Sequence, residues 1–329
     1  MKQKGGRRVN RWDRKTWWRA GAAVVLTAAM VAAAQATGER EILFPEILAL
    51  AAGAWVAPRQ PWRVSKGQML LLMPVCAVMG VLVVRYLPVG LTGQILLGFS
   101  LVALLLLLTK TTLVPMLSAC VLPVLLQTDS WVYPAAVAVL TGLIVLIQWG
   151  MEKAGLRDPE RLDPAPFSFG GELLRWGKRL LAVAALAVPA VALGCPDLIA
   201  PPLLVAFTEL SSPTCGMRSR PWTAYFMLGG AAFLGVGCRL LSIWGQVPLA
   251  VSATLAAAGV LLGFALIKRV FPPVGAIALL PMLLKEEALL WYPVQVLGGG
   301  ALLLGAALLF FKSRQNAGQE PLDEEGVCE

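Results

Sequence analysis

The sequence predicts an all-α, polytopic integral membrane protein in which a six-helix unit occurs twice, as parallel repeats. Three observations carry that expectation. Of 329 residues, 58% are hydrophobic and 14% are charged, and mean hydropathy is +0.73. Soluble domains carry about 25% charged residues. Here the polar residues gather at the ends of long apolar runs, as in a chain whose solvent is lipid. The second observation is a repeat: residues 107–134 (LLTKTTLVPMLSACVLPVLLQTDSWVYP) return at 265–293 (ALIKRVFPPVGAIALLPMLLKEEALLWYP). Lys110 aligns with Lys268, Pro115 with Pro273, Pro123 with Pro281, and Tyr133-Pro134 with Tyr292-Pro293. Repeated apolar halves are a common ground plan of transporters. The third is the sidedness of charge, which follows once the runs are in place.

The first run, 17–37, comes after a basic stretch and ends near Ala34-Gln35-Ala36, in the manner of a cleaved signal peptide. Because 179–194 holds the same place in the second half, a retained helix is expected. Next come 41–57, 68–86, 90–109, the short 112–126 with Pro115 and Pro123, and 131–150. The second half gives 179–194, 196–211, 222–238, 247–267, the short 271–284 with Pro272, Pro273 and Pro281, and 291–311. Residues 44–64 align with 200–224 up to a shared Pro-Trp. The expectation is therefore ten long spans plus two short proline-broken ones, which either cross or re-enter, since a perpendicular helix needs about 20 residues.

If every run crosses, all Lys and Arg residues but Arg40, Arg85, Arg239 and Lys285 fall on one side. Five crossings per half would put the basic linker on the other side, against the positive-inside rule. Six plus six is the better reading, with both termini cytoplasmic and the chain in the plasma (inner) membrane. The expected units are a basic N-terminus (1–16), a first membrane repeat (17–150), a cytosolic linker (151–178), a second repeat (179–311) and a polar tail (312–329) whose end is acidic.

The net charge of +9 resides in juxtamembrane loops, so membrane lipids rather than nucleic acid are the expected partners. A small-molecule substrate and a second copy of the chain complete the expected partners. There is no histidine, which removes Ser-His-Asp and Cys-His catalysis, His-ligated haem and most zinc sites. The six cysteines show no C-x-x-C and read as small hydrophobes. No catalytic residue, cofactor or metal site is expected.

The segment KRVFPPVGAIALLP (268–281) resembles the signature of the HPP family of integral membrane proteins, and SSPTCGMRSRPW (211–222), with Gly229-Gly230 beyond it, resembles that family's Ser-Pro-rich loop. The resemblance covers about 177–311 and departs at Phe271, where the signature has histidine. Both halves are also similar in layout to the membrane domain of fusaric-acid-resistance (FUSC) and aromatic-acid exporters. These resemblances imply a transporter-like role: plant HPP members are linked to nitrite movement and the FUSC group to organic-acid efflux. Proton chemistry at the signature histidine does not carry over.

The substrate-pathway candidates begin with Glu46, an ionisable group inside an apolar run. Such a group needs a cavity, a proton path or a cation, here Arg85 or Lys110, unless it is simply hydrated near the interface. Pro202 holds its place in the second half. Glu209, at the far end of the matching span, is expected to cap a neighbouring helix or to pair with Arg218 or Arg220. Those arginines flank a turn-rich loop, and their planar forks suit carboxylate or nitrite, lipid headgroup contact being the plainer reading. Pro115 in the first half, and Lys268, Arg269, Phe271, Pro272, Pro273 and Gly275 in the second, mark broken helices. Freed carbonyls there line a polar path, or else the prolines are packing kinks. Trp17, Trp18, Trp62, Trp131, Trp222 and Trp291 read as interface anchors. Gly229, Gly230, Gly235 and Gly237 read as one tightly packed helix face.

The function expected is secondary or passive transport of a small solute, an anion or organic acid. A non-transporting membrane scaffold or subunit is the alternative.

Overall fold

The computed structural model describes residues 12–160 and 168–311. The expected tail (312–329), most of the basic N-terminus and 161–167 of the linker lie outside the described residues. Within them the chain is helical, without a strand. The first half comprises α1 (Arg14–Thr37), α2 (Glu46–Ala51, running on into a π turn, Ala52–Val56), α3 (Lys66–Tyr86), α4 (Leu91–Thr109), α5 (Met116–Leu126) and α6 (Val132–Lys153). The second comprises α7 (Phe169–Ala192), α8 (Pro201–Leu210), α9 (Pro221–Trp244), α10 (Leu249–Ile267), α11 (Pro273–Leu279, ending in a 3-10 turn, Leu280–Met282) and, after a helical turn at Glu286–Leu289, α12 (Tyr292–Phe310). Seven of these, α1, α3, α4, α6, α9, α10 and α12, are long and apolar enough to cross a membrane.

The ends are written in the sequence. Asp13 accepts a hydrogen bond from the Thr16 amide and starts α1, and Gly38, at φ 76°, ends it. Ser65 and Gln68 form a reciprocal capping box at α3. Lys110 (φ 52°) and Lys268 (φ 57°) both sit in the left-handed region and close α4 and α10 at aligned positions. Ser168 caps α7, so this helix begins inside the stretch expected to be linker. Its first turns hold Trp176 and Arg179 buried, which draws the helix onto the protein rather than leaving a loose joint.

Two runs expected as long spans, 41–57 and 196–211, form short helices instead. Pro45 stands at the start of α2 and Pro201-Pro202 at the start of α8, each after a separate 3-10 turn (Arg40–Ile42 and Pro196–Ile199). At a rise of about 1.5 Å per residue, helices this short cover about half of a 30 Å hydrocarbon layer. Four helices, α2, α5, α8 and α11, are thus about half-length.

These four form the centre. In cross-half pairs, α2 packs on α11 and α5 on α8; outside them α1 packs on α10 and α4 on α7. Within the halves, α3 holds α5 and α6, and α9 holds α11 and α12. Glycine permits the tightest of these crossings. A Cβ on Gly80 of α3 would collide with the Cys120 carbonyl of α5 and lie 2.6 Å from Pro123 Cγ; one on Gly235 of α9 would collide with the Ala278 carbonyl of α11. The expected glycine face of α9 divides: Gly229 and Gly235 are packed, whereas Gly230 and Gly237 face open space. At about 100° per residue the four glycines cannot share one stripe.

One end of the bundle gathers the basic residues and is tied across elements. Lys66 pairs with Glu152, Lys15 donates to the Gly155 carbonyl (2.8 Å), and the Arg63 amide donates to Thr112 Oγ1 (2.7 Å).

Candidate functional site

At the centre a buried carboxyl meets a buried hydroxyl. Glu46 is the first residue of α2, and Ser118 lies in the first turn of α5. Both are buried, and the Ser118 hydroxyl donates to Glu46 Oε1. Glu46 Oε2 has no hydrogen-bond partner among the described residues. Of the expected cations, Arg85 lies over the Tyr86 ring, 5.9 Å from its centroid, and Lys110 is exposed at the end of α4. Glu46 is enclosed by protein, which removes the reading of a hydrated interface residue: its relative exposure is 1%.

Two buried tyrosines flank this pair. Tyr133 of α6 donates to the Ala119 carbonyl of α5 (3.0 Å), and Tyr292 of α12 donates to the Ile277 carbonyl of α11 (2.9 Å). Each hydroxyl therefore satisfies a carbonyl of a half-length helix, on the two sides of the seam between the halves. Gly275 brings α11 against α2 here, where a Cβ would stand 3.0 Å from Leu48 Cγ and 3.2 Å from the Ala49 nitrogen.

Toward the basic end the seam is closed by Trp62. Its indole donates to Glu209 Oε1 (2.9 Å), joining the first half to the end of α8, and its ring lies on Gly53, whose hypothetical Cβ would be 2.5 Å from it. Trp62 is not the interface anchor expected from its place at a run end. It is 2% exposed, while Trp17, Trp18, Trp131, Trp222 and Trp291 are well exposed. Glu209 pairs with Trp62 rather than with Arg218 or Arg220. Arg218 Nη1 instead donates to the Leu210 carbonyl (2.6 Å), capping the end of α8, and Arg220 is exposed. On the other half, Arg157 Nη1 does the same work, donating to the carbonyls of Trp55 and Ala57 (2.9 Å each) where the π turn ends. A cation at a helix C-terminus is favoured by the unsatisfied carbonyls there.

The expected site is thus partly assembled. Glu46 and Gly275 both lie where α2 packs on α11, Gly275 against Leu48 and Ala49, and Glu209 lies at the end of α8. Pro115 and Pro272 precede the first residues of α5 and α11, and Pro273 begins α11, beside buried Phe271. These prolines start helices and do not kink them, so they free no carbonyl; a first-turn nitrogen has no helical acceptor in any case. Lys110, Lys268, Arg269 and Arg220 are exposed and do not join the centre. Ser118, Tyr133, Tyr292 and Trp62 were not singled out from the sequence as site residues. The polar Ser118 inside an apolar half-span was the available signal, because its aligned partner in the second half is Ala276.

A groove of about 510 Å³ runs between α4 and α7, lined by Phe99, Ala103, Leu107, Leu174, Trp176 and Leu180. Its apolar walls suit hydrocarbon rather than a polar solute. Comparisons with family profiles, curated proteins and solved structures find no match to this chain.

Proposed function

We propose that this chain is a secondary or passive membrane transporter of a small solute, an anion or organic acid. In this reading it consists of two parallel six-element repeats, like the HPP and FUSC membrane domains it resembles. Both termini are on the cytoplasmic side, which is the basic end of the bundle. The solute passes along the seam between the halves, between α2 and α11 on one side and α5 and α8 on the other. The halves move against each other to open the two ends in turn. The observation that carries the proposal is the exchange packing of four half-length helices around the buried Glu46–Ser118 pair. A buried ionisable group without an ion pair among the described residues is costly in an apolar bundle and is a mark of transport pathways. Trp62 on Glu209 supports a closure at the cytoplasmic end.

The scaffold reading draws on Phe271, a buried ring where the HPP signature has an ionisable side chain. The two readings separate on reconstitution of the purified full chain in liposomes. Transport requires protein-dependent, saturable uptake of nitrite or of an aromatic carboxylate such as 4-hydroxybenzoate, above protein-free vesicles. No uptake from a panel of small anions and aromatic acids, together with a stoichiometric protein partner in mild detergent, contradicts it.

A further inference from the structure

We infer that Glu46 is the proton-binding group of a proton-coupled cycle, so that the coupling ion is H⁺ and one proton moves per chain in each turnover. This rests on the transport reading above and names its driving ion.

The inference starts from what surrounds the carboxyl. Ser118 satisfies Oε1, and Oε2 is buried without a hydrogen-bond partner among the described residues. A carboxylate in that position would leave a full charge facing hydrocarbon and one hydroxyl, which is far more costly than a neutral acid. Among the elements around it, α11 contributes no ionisable side chain over its length. On α1, Met30 holds the residues just before Glu46, its sulfur accepting from the Phe44 amide, and the ionisable Arg14, Lys15 and Arg19 lie about three turns or more from Met30 at the helix start. From α6 and α12 the facing ionisable groups are Tyr133 and Tyr292, and the Cys120 and Cys76 thiols of α5 and α3 lie within electrostatic reach of Tyr133; none of these is a cation. Asp197, buried beside the start of α8, is within electrostatic reach of Tyr292 and is likewise no cation.

A metal cation fits the same surroundings poorly. Hard cations take about six oxygens. Here the side chain hydrogen-bonded to Glu46 is the single hydroxyl of Ser118, and no group of three or more Asp, Glu, Cys or His side chains that could hold a metal occurs among the described residues. A proton on Oε2 removes the charge and leaves only one neutral O–H without an acceptor, a far smaller cost than a buried carboxylate. The stoichiometry follows from the alignment: Pro202 and Ala276 stand where Glu46 and Ser118 stand in the first half, so the second half has no equivalent site. In the cycle the only bond made and broken is the O–H bond of the Glu46 carboxyl. The proton enters from water at the open end, crosses with the seam closed, and leaves to water at the other end.

The test uses full-length protein in liposomes with a trapped pH dye, an imposed pH gradient, and nitrite and 4-hydroxybenzoate as probes. Wild type is expected to accumulate a probe against its gradient and to acidify the lumen beyond protein-free vesicles. Glu46→Gln, fixed in the neutral form, is expected to lose uphill accumulation while still exchanging labelled for unlabelled probe. If Glu46→Gln still accumulates the probe uphill, the coupling inference is overturned and the transport reading stands. If wild type moves neither probe, the transport reading is what suffers, and infrared spectroscopy decides the proton site by itself. A protonated-carboxyl band at neutral pH that Glu46→Gln removes supports the inference, and its absence from wild type overturns it. Should Glu46→Gln fail to insert, Ser118→Ala serves: loss of the hydroxyl's hydrogen bond must shift that band, and an unmoved band overturns the assignment.

Discussion

Gly80→Ala, Gly235→Ala and Gly299→Ala are expected to cost most of the folded protein, although each adds a single methyl group. In all three the new carbon would overlap a backbone carbonyl: Cys120 for Gly80, Ala278 for Gly235 and Leu198 for Gly299. A side chain can rotate away from such an overlap, but a helix backbone has to shift as a whole. Overpacking of a close-packed interior costs about 1–3 kcal/mol and more where nothing yields, and each of these contacts fixes a half-length helix or the turn leading into one. Gly230→Ala and Gly305→Ala face open space and are expected to match wild type. The measurement is the monodisperse fraction and the unfolding midpoint of the five variants in detergent. Equal behaviour of Gly235→Ala and Gly230→Ala contradicts the described packing of α9 on α11.

Trp62→Ala is the second large effect. The indole is buried, fills the space over Gly53 and bonds Glu209 across the seam. Removing it leaves a cavity, for which large-to-small changes cost about 3–5 kcal/mol. Trp62→Phe keeps most of the packing and loses only the hydrogen bond, about 1–3 kcal/mol for a buried acceptor left alone. Unfolding midpoints should therefore rank wild type, Trp62→Phe, then Trp62→Ala. A Trp62→Ala midpoint equal to wild type contradicts the burial of this ring.

Much of this architecture is legible in the sequence, for reasons that particular residues make plain. The aligned Lys110 and Lys268 mark real helix ends, and the long apolar runs become seven helices able to span a membrane. Hydropathy could not tell that 41–57 and 196–211 are each broken into a short 3-10 turn and a separate short helix. An apolar residue in a 3-10 turn scores the same as one in a long helix, and Pro45 or Pro201 alone does not say where the turn ends and the helix begins. The same blindness misplaced Trp62: a tryptophan at a run end reads as an anchor, and only the approach of Gly53 and Glu209 in space turns it inward. Glu46 stood out as a lone acid among aliphatic residues. Its partner did not, because Ser118 is 72 residues away and reaches it only through the fold.

The central claim is that solute moves along the seam as the halves shift against each other, and a removable tether across the seam tests it most directly. Gln35 of α1 accepts a hydrogen bond from the Ala250 amide of α10 (2.8 Å), joining the halves at the end opposite the basic face, and Gln35 is exposed. In a background with the native cysteines replaced, Gln35→Cys and Ala250→Cys joined by a short cleavable thiol cross-linker should abolish uptake in liposomes, and cleavage should restore it. Uptake that continues unchanged with the tether in place would contradict movement between the halves.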